Sequence, residues 1–220
     1  MVKEEILSFV DHTALAAFVT EEEIFILCED AVKYKTASVC IPPCYIKRVR
    51  ERFPNLTICT VIGFPLGYSV TEAKVAEIER GIADGADEFD MVINISDAKN
   101  HYFDKITDEI KTLKNTCGNK VLKVIIETCY LTEEEKISLC RCVKEAKADY
   151  IKTSTGFGTK GATMDDISLF KTHVGKEVKI KAAGGIRSKE DMEVFLAAGC
   201  SRLGTSSAIK ILAGEVSNGY

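Results

Sequence analysis

Eight short apolar runs, each followed by a charge-laced amphipathic segment, most limit how this 220-residue chain can fold. The runs are "FVDHTA" (9–14), "ASVCIP" (37–42), "TICTVIGF" (57–64), "DEFDMVIN" (87–94), "VLKVIIET" (121–128), "DYIKTST" (149–155), "VKIKAAG" (178–184) and "SRLGTS" (201–206). Their length and composition predict strands. Between them, Thr20 with Glu23 three positions on reads as a capping box, and Thr132 and Ser188 stand at the same opening position of later segments. "VTEAKVAEIERGIADG" places Val75, Ile78 and Ile82 on one helical face and ends near Gly85; the segment after Ser188 ends at Gly199. Strands alternating with helices over short loops imply parallel pairing through right-handed crossovers. Eight such units predict an α/β fold, a single (β/α)8 TIM barrel with a short N-terminal helix. With four prolines and no low-complexity stretch, residues 1–220 read as one domain. The polar end, 214–220, is expected to be mobile.

Composition narrows the function classes. A net charge of −4 and a pI near 5.6 argue against a nucleic-acid footprint but allow a local basic pocket for an anionic metabolite. No apolar run is long enough to span a membrane, and the acidic start carries no secretory pattern, so a cytoplasmic address is expected. Nine cysteines form no CxxC pair and no cluster with the three histidines. Their odd number and their place in apolar segments read as reduced thiols filling the core, not as a disulfide framework or metal site.

Strand alternation then sorts the side chains. Phe89, Met91 and Ile93 share one face of the fourth run, and Glu88, Asp90, Val92 and Asn94 the other. Leu122, Val124 and Ile126 oppose Lys123, Ile125 and Glu127; Lys152 shares a face with Tyr150 and Ser154; Val178, Ile180 and Ala182 oppose Lys179, Lys181 and Ala183. With the apolar faces under the helices, Asp90, Lys123, Lys152 and Lys181 aim into the barrel. Lys179 falls near the closed end and reads as solvated or structural. Buried ion pairs are often replaceable by apolar residues without loss of stability, so stability alone explains this set poorly. The set reads as a functional site.

A free lysine is only about 0.04 % neutral amine at pH 7. A second ammonium close by, together with burial, can bring such a group to about 7–8. The amine then adds to a carbonyl, and the protonated imine draws electrons from a carbon–carbon bond one position further out. Lys152, Lys181 and Asp90 fit the parts of nucleophile, neighbour and acid/base, but spacing does not say which lysine attacks. Separately, "KAAGGIRS" ends the seventh run with Gly184, Gly185 and Arg187, and "LGTSSAIK" ends the eighth with Gly204, Ser206 and Ser207. Barrels often bind phosphate at these two loops, where glycines let backbone N–H groups approach the oxygens.

The segments "DHTAL", "TVIGFPLG", "DEFDMVIN", "KVIIET", "ADYIKTSTGF", "KAAGGIR" and "RLGTSS", in this order over almost the whole chain, resemble the 2-deoxyribose-5-phosphate aldolase family. The resemblance implies a class I aldolase that cleaves 2-deoxy-D-ribose 5-phosphate to acetaldehyde and D-glyceraldehyde 3-phosphate. It implies Lys152 as the Schiff-base former, Lys181 as its neighbour and relay member, and Asp90 as the other relay member. It places Thr155, Gly156, Gly184, Gly185, Arg187, Gly204, Ser206 and Ser207 on the substrate, with Asp11 and Thr13 near the sugar. No cofactor or metal is implied, the partner is a small phosphorylated sugar, and a homodimer is expected. Ala14-Leu15-Ala16-Ala17 departs from the Leu-Leu-Lys-Pro common in the family, which puts a rim contact in question. Cys40 reads as a barrel-filling thiol. Tyr220 is a candidate to close over the mouth and aid proton transfer. Two other readings compete: another phosphosugar Schiff-base lyase or transferase on the same barrel, and a sugar-phosphate binder without catalysis.

Overall fold

All eight predicted runs become strands of one closed, all-parallel barrel in the computed structural model, which describes residues 1–214. The strands are β1 (Val10–Thr13), β2 (Ser38–Ile41), β3 (Ile58–Ile62), β4 (Glu88–Val92), β5 (Val121–Ile125), β6 (Tyr150–Lys152), β7 (Lys179–Ala183) and β8 (Arg202–Thr205). Each pairs with the next in sequence, and β8 closes on β1. Helix α1 (Lys3–Leu7) precedes the barrel; α2 (Glu21–Tyr34), α3 (Ile46–Arg52), α4 (Thr71–Asp84), α5 (Ile95–Lys99), α6 (Phe103–Cys117), α7 (Glu133–Glu145), α8 (Met164–His173), α9 (Lys189–Ala197) and α10 (Ala208–Leu212) surround it. None of the described helices is long and apolar enough to cross a membrane. Residues 215–220, with the candidate Tyr220, lie outside the described residues.

The capping residues act as the sequence predicts. Thr20 accepts from the Glu23 N–H at 3.3 Å while Glu23 accepts from the Thr20 N–H at 2.7 Å. Thr132 with Glu135 and Ser188 with Asp191 close the same reciprocal box. Helix α4 differs from its predicted face. It buries Lys74, Ile78 and Gly81, and leaves Ile82 36 % exposed. The reason is polar. The Lys74 ammonium donates to both Glu109 oxygens of α6 and to the Val92 carbonyl, each at 2.9 Å, so α4 rotates to bury a satisfied charge.

Alternation divides the molecule into two cores. Phe89, Met91, Ile93, Leu122, Val124, Ile126, Val178, Ile180 and Ala182 all pack outward beneath the helices, as expected. Each fully buried aliphatic or aromatic side chain there contributes roughly 1.5–3 kcal/mol. Inside the barrel the only apolar cluster among the described residues is small: Leu15, Cys40, Cys59 and Val61 with Phe64 against it. Charged groups fill much of the remaining interior. The outer layer carries the stability, which leaves the interior free for chemistry. Several strands stop short of their predicted ends, at Ile125, Lys152 and Ala183. The chain leaves the ladder there to build the rim loops, and Thr128–Tyr130 becomes a short 3-10 turn.

Candidate active site

Register sets the site. Asp90 of β4 pairs with Lys123 of β5, and Lys152 of β6 pairs with Lys181 of β7, which pairs in turn with Arg202 of β8. These positions all turn inward, so their charged ends converge on the barrel axis. Asp90 is fully buried and receives three lysines: Lys123 on Oδ1 at 2.9 Å, Lys152 and Lys181 on Oδ2 at 2.7 Å each. The two amines on Oδ2 therefore lie no further apart than twice that distance. Asp11 of β1 accepts from Lys181, from Arg202 at 2.5 Å and from Ser38 at 2.7 Å. Glu88 bonds Lys123 at 2.6 Å and Arg202 at 3.2 Å.

Four cations thus face three carboxylates: Lys123, Lys152, Lys181 and Arg202 against Asp11, Glu88 and Asp90. Burial pushes the Lys181 ammonium down, but Asp11 and Asp90 push it up further, so it is held above its ordinary range. Lys123 is held up in the same way against burial by Asp90, Cys59, Asp11 and Glu88. Burial raises the Asp90 carboxyl, yet its three lysines hold it well below the usual carboxylate range. Asp11 is held low against burial by Lys181, Lys123 and Arg202. Three carboxylates against Lys123, Lys181 and Arg202 make a balanced set, and Lys152 is the surplus cation.

Lys152 is also the one member of this cluster that lines the cavity at the rim. A cavity of about 110 Å³ opens at the C-terminal rim and is lined by Thr13, Leu15, Lys152, Thr155, Gly156, Ala183, Gly184, Gly185, Ile186, Arg187, Gly204, Thr205, Ser206 and Ser207. Lys181, Lys123, Asp90 and Asp11 lie behind it. Gly184 and Gly185 take successive left-handed conformations, φ 78° and 73°, which turn the chain away from β7 at the cavity wall. Gly204 is needed for a different reason. A Cβ there would lie 3.1 Å from the Lys181 Cε and from the Ala183 Cβ, so a larger residue would press on the buried lysine. Two donor sets come within 4.8 Å of one another, Cys40 with Cys59 and Asp90, and Asp11 with Cys59 and Glu88. The Lys123 ammonium already sits among them, 3.3 Å from Cys59 Sγ, so a cation would have to displace it. Burial and the hydrogen bond with Cys40 push the Cys59 thiol well up.

A profile of the "DeoC/LacD family aldolase" matches residues 6–210. The chain belongs to the DeoC/LacD aldolase family. It is 59 % identical to a deoxyribose-phosphate aldolase of Clostridium botulinum (strain Alaska E43 / Type E3), over 100 % of both chains. It is 58 % identical to that of Clostridioides difficile (strain 630), over 99 % of this chain and 100 % of the relative. The solved deoxyribose phosphate aldolase of Aeropyrum pernix, described as tetrameric, superposes with a TM-score of 0.86 at 31 % identity, covering 96 % of this chain and 91 % of that one.

Within this family member the sequence-predicted site residues divide into two layers. Lys152, Thr13, Thr155, Gly156, Gly184, Gly185, Arg187, Gly204, Ser206 and Ser207 line the cavity. Asp90 and Lys181 lie directly beneath Lys152. Asp11, expected near the sugar, does not line the cavity: fully buried, it braces Lys181 from below. Thr155 lines the cavity, yet its hydroxyl hydrogen goes to Glu127, behind the wall. Leu15, in the segment that departs from the family pattern, lines the cavity and packs on the inner cluster with Cys40. Arg202 and Glu127 were not singled out by the sequence reading. The same alternation that placed Lys123 inward carried Glu127 with it; Arg202 stood beside Gly204 in a run too short to sort.

Proposed function

We propose that the chain reversibly cleaves 2-deoxy-D-ribose 5-phosphate to acetaldehyde and D-glyceraldehyde 3-phosphate through a Schiff base on Lys152. The carrying observation is that Lys152 alone among the four clustered cations lines the cavity, with its Nζ 2.7 Å from Asp90 Oδ2. Loss of its proton leaves the interior balanced, three cations against three carboxylates. The free amine adds to C1, and water leaves as the imine forms. The C3 hydroxyl gives its proton toward Asp90 through water while the C2–C3 bond breaks, and its electron pair passes to the imine as an enamine. Lys181, bound to both Asp11 and Asp90, keeps positive charge beside that centre and returns a proton. Protonation at C2 and hydrolysis of the imine release acetaldehyde and the lysine. The phosphate rests against the turns at Gly184–Gly185 and Ser206–Ser207, with Arg187 at the lip.

Incubation with acetaldehyde, reduction with borohydride and peptide mapping test the reading. A two-carbon adduct on Lys152 is expected. An adduct on Lys181 or Lys123 instead, or sugar-phosphate binding with no adduct, would overturn it. The cytoplasmic address belongs to the same proposal. So does a homodimer, for which sedimentation should give twice the 24.2 kDa of one chain.

A further inference from the structure

Glu127 stands at the end of β5, beside the cavity but outside the chemistry just proposed. It is 2 % exposed, and its backbone takes φ 54°, a left-handed conformation that residues with a Cβ seldom adopt. What holds it there is a set of bonds into the loop after β6. The Thr155 N–H donates to its two oxygens at 3.2 and 3.3 Å, and the Thr155 hydroxyl donates to Oε2. The Cys129 thiol lies 3.9 Å from Oε1. The Phe157 N–H donates to Thr155 Oγ1 at 3.0 Å. An N–H cannot accept, so this oxygen accepts from Phe157 and sends its own hydrogen to Glu127. Carboxylate, hydroxyl and amide form one directed chain from β5 into the loop.

The same loop is fastened on its other side. Thr153 Oγ1 donates to the Ala183 carbonyl and accepts from the Ala183 N–H, both at 3.1 Å. The Ala162 N–H reaches the Ala183 and Gly184 carbonyls at 3.1 Å. Between these ties, Thr155 and Gly156 line the cavity beside Gly184 and Gly185. A carboxylate behind an anion-binding wall would repel the ligand. The Thr155 N–H and hydroxyl stand on the carboxylate and offset that repulsion, while burial raises the carboxyl from its ordinary range.

We propose that Glu127 is a positioning residue for the phosphate end of the substrate. It does not touch the substrate; it holds the Thr155–Phe157 turn so that the Gly156 backbone meets the phosphate together with the turn after β7. This rests on the phosphate placement proposed above. Loss of a tie that merely joined β5 to β6 would lower stability and affect every substrate alike.

The test compares kcat and KM for 2-deoxyribose 5-phosphate and for 2-deoxyribose, with competition by inorganic phosphate, in wild type, E127Q, T155V and the double variant. Glutamine keeps the shape but sets an N–H donor against the Thr155 donors. E127Q should cut the preference for the phosphorylated sugar at least tenfold, raise KM far more than it lowers kcat, and weaken phosphate inhibition in step. T155V should do the same, and the double variant should fall no further. An E127Q enzyme with wild-type preference and phosphate inhibition, equal losses on both sugars, or additive losses in the double variant would overturn the proposal. If E127Q does not fold, T155V decides alone, and wild-type preference in it has the same force. A wild type with no preference and no phosphate inhibition would instead fell the phosphate placement, and this inference with it.

Discussion

Replacing Asp90 by asparagine should separate imine formation from bond cleavage. In the wild type this buried carboxylate holds Lys123 at 2.9 Å and Lys152 and Lys181 at 2.7 Å. Without its charge, Lys123 keeps Glu88 at 2.6 Å and Lys181 keeps Asp11, but Lys152 has no remaining carboxylate partner in the ion-pair network. The interior then holds four cations against two carboxylates, and Lys152 is the one left without a carboxylate partner in the network. Removing one member of a buried pair costs about 3–5 kcal/mol. At roughly 2–4 °C per kcal/mol for a chain of this size, melting should fall by about 6–20 °C. Lys152 is released from its ion pair with Asp90, so borohydride should still trap acetaldehyde on it in D90N at neutral pH. The proton acceptor is gone, so turnover should fall about 10²–10⁴-fold, the usual worth of a positioned acid or base. Trapping and a coupled assay for glyceraldehyde 3-phosphate, run on one preparation below its melting point, read both. Folded D90N that traps no aldehyde, or that turns over like the wild type, would refute the charge argument.

Lys181→Leu should do the opposite at the amine. The interior becomes balanced with Lys152 charged against Asp90, so trapping should require higher pH and kcat should fall about 10²–10⁴-fold while KM changes little; a wild-type pH profile for trapping would contradict it. Acid should destabilise the fold through His12, whose buried ring is pushed down to about 4, first by burial and only partly offset by Asp30. Its folded value lies below the unfolded 6.5, so the unfolded chain binds the extra proton, and stability should fall by roughly 3 kcal/mol between pH 6.5 and 4. Denaturation of H12Q across that range should show a flatter slope; an equal slope would clear His12. Among the nine cysteines, Cys44 alone is exposed and Cys129 partly so, and all nine are free thiols. A thiol reagent should therefore label Cys44 fast, Cys129 more slowly, and the other seven only after unfolding, which mass mapping over time checks.

The barrel was legible because two periodicities agree along the whole chain. Phe89, Met91 and Ile93 alternate with Glu88, Asp90 and Val92, and only a closed ring of strands gives every such second face a common interior. The inward lysines followed from the same alternation. What did not follow was depth. Strand period gives the side on which Asp11 and Thr13 lie, but not which of them reaches the rim; Asp11 is fully buried against Lys181 and Arg202, and Thr13, two residues on, lines the cavity. Rim loops were read too long as strands for a related reason. Thr153 and Thr155 look like β residues, and only their bonds to Ala183 and Glu127 show that the chain has already turned. An apolar pattern does not fix the buried face of α4, because it carries no sign that Lys74 pairs with Glu109 and is buried.

The interior charge count also explains why so much polarity is tolerated in a barrel this small. Seven ionised groups inside a fold are costly unless each is paired and hydrogen-bonded. Six of these can be matched one to one, and the network shares Asp90 and Asp11 among several donors so that no carboxylate is left unpaired. The seventh, Lys152, is placed where the barrel opens to the cavity. The surplus charge thus sits on the one lysine of the cluster that lines the cavity. Moving the surplus to the fully buried Lys123 would give a lysine equally crowded but outside the cavity lining. The outer apolar layer under the helices holds the matched charges in place around Lys152.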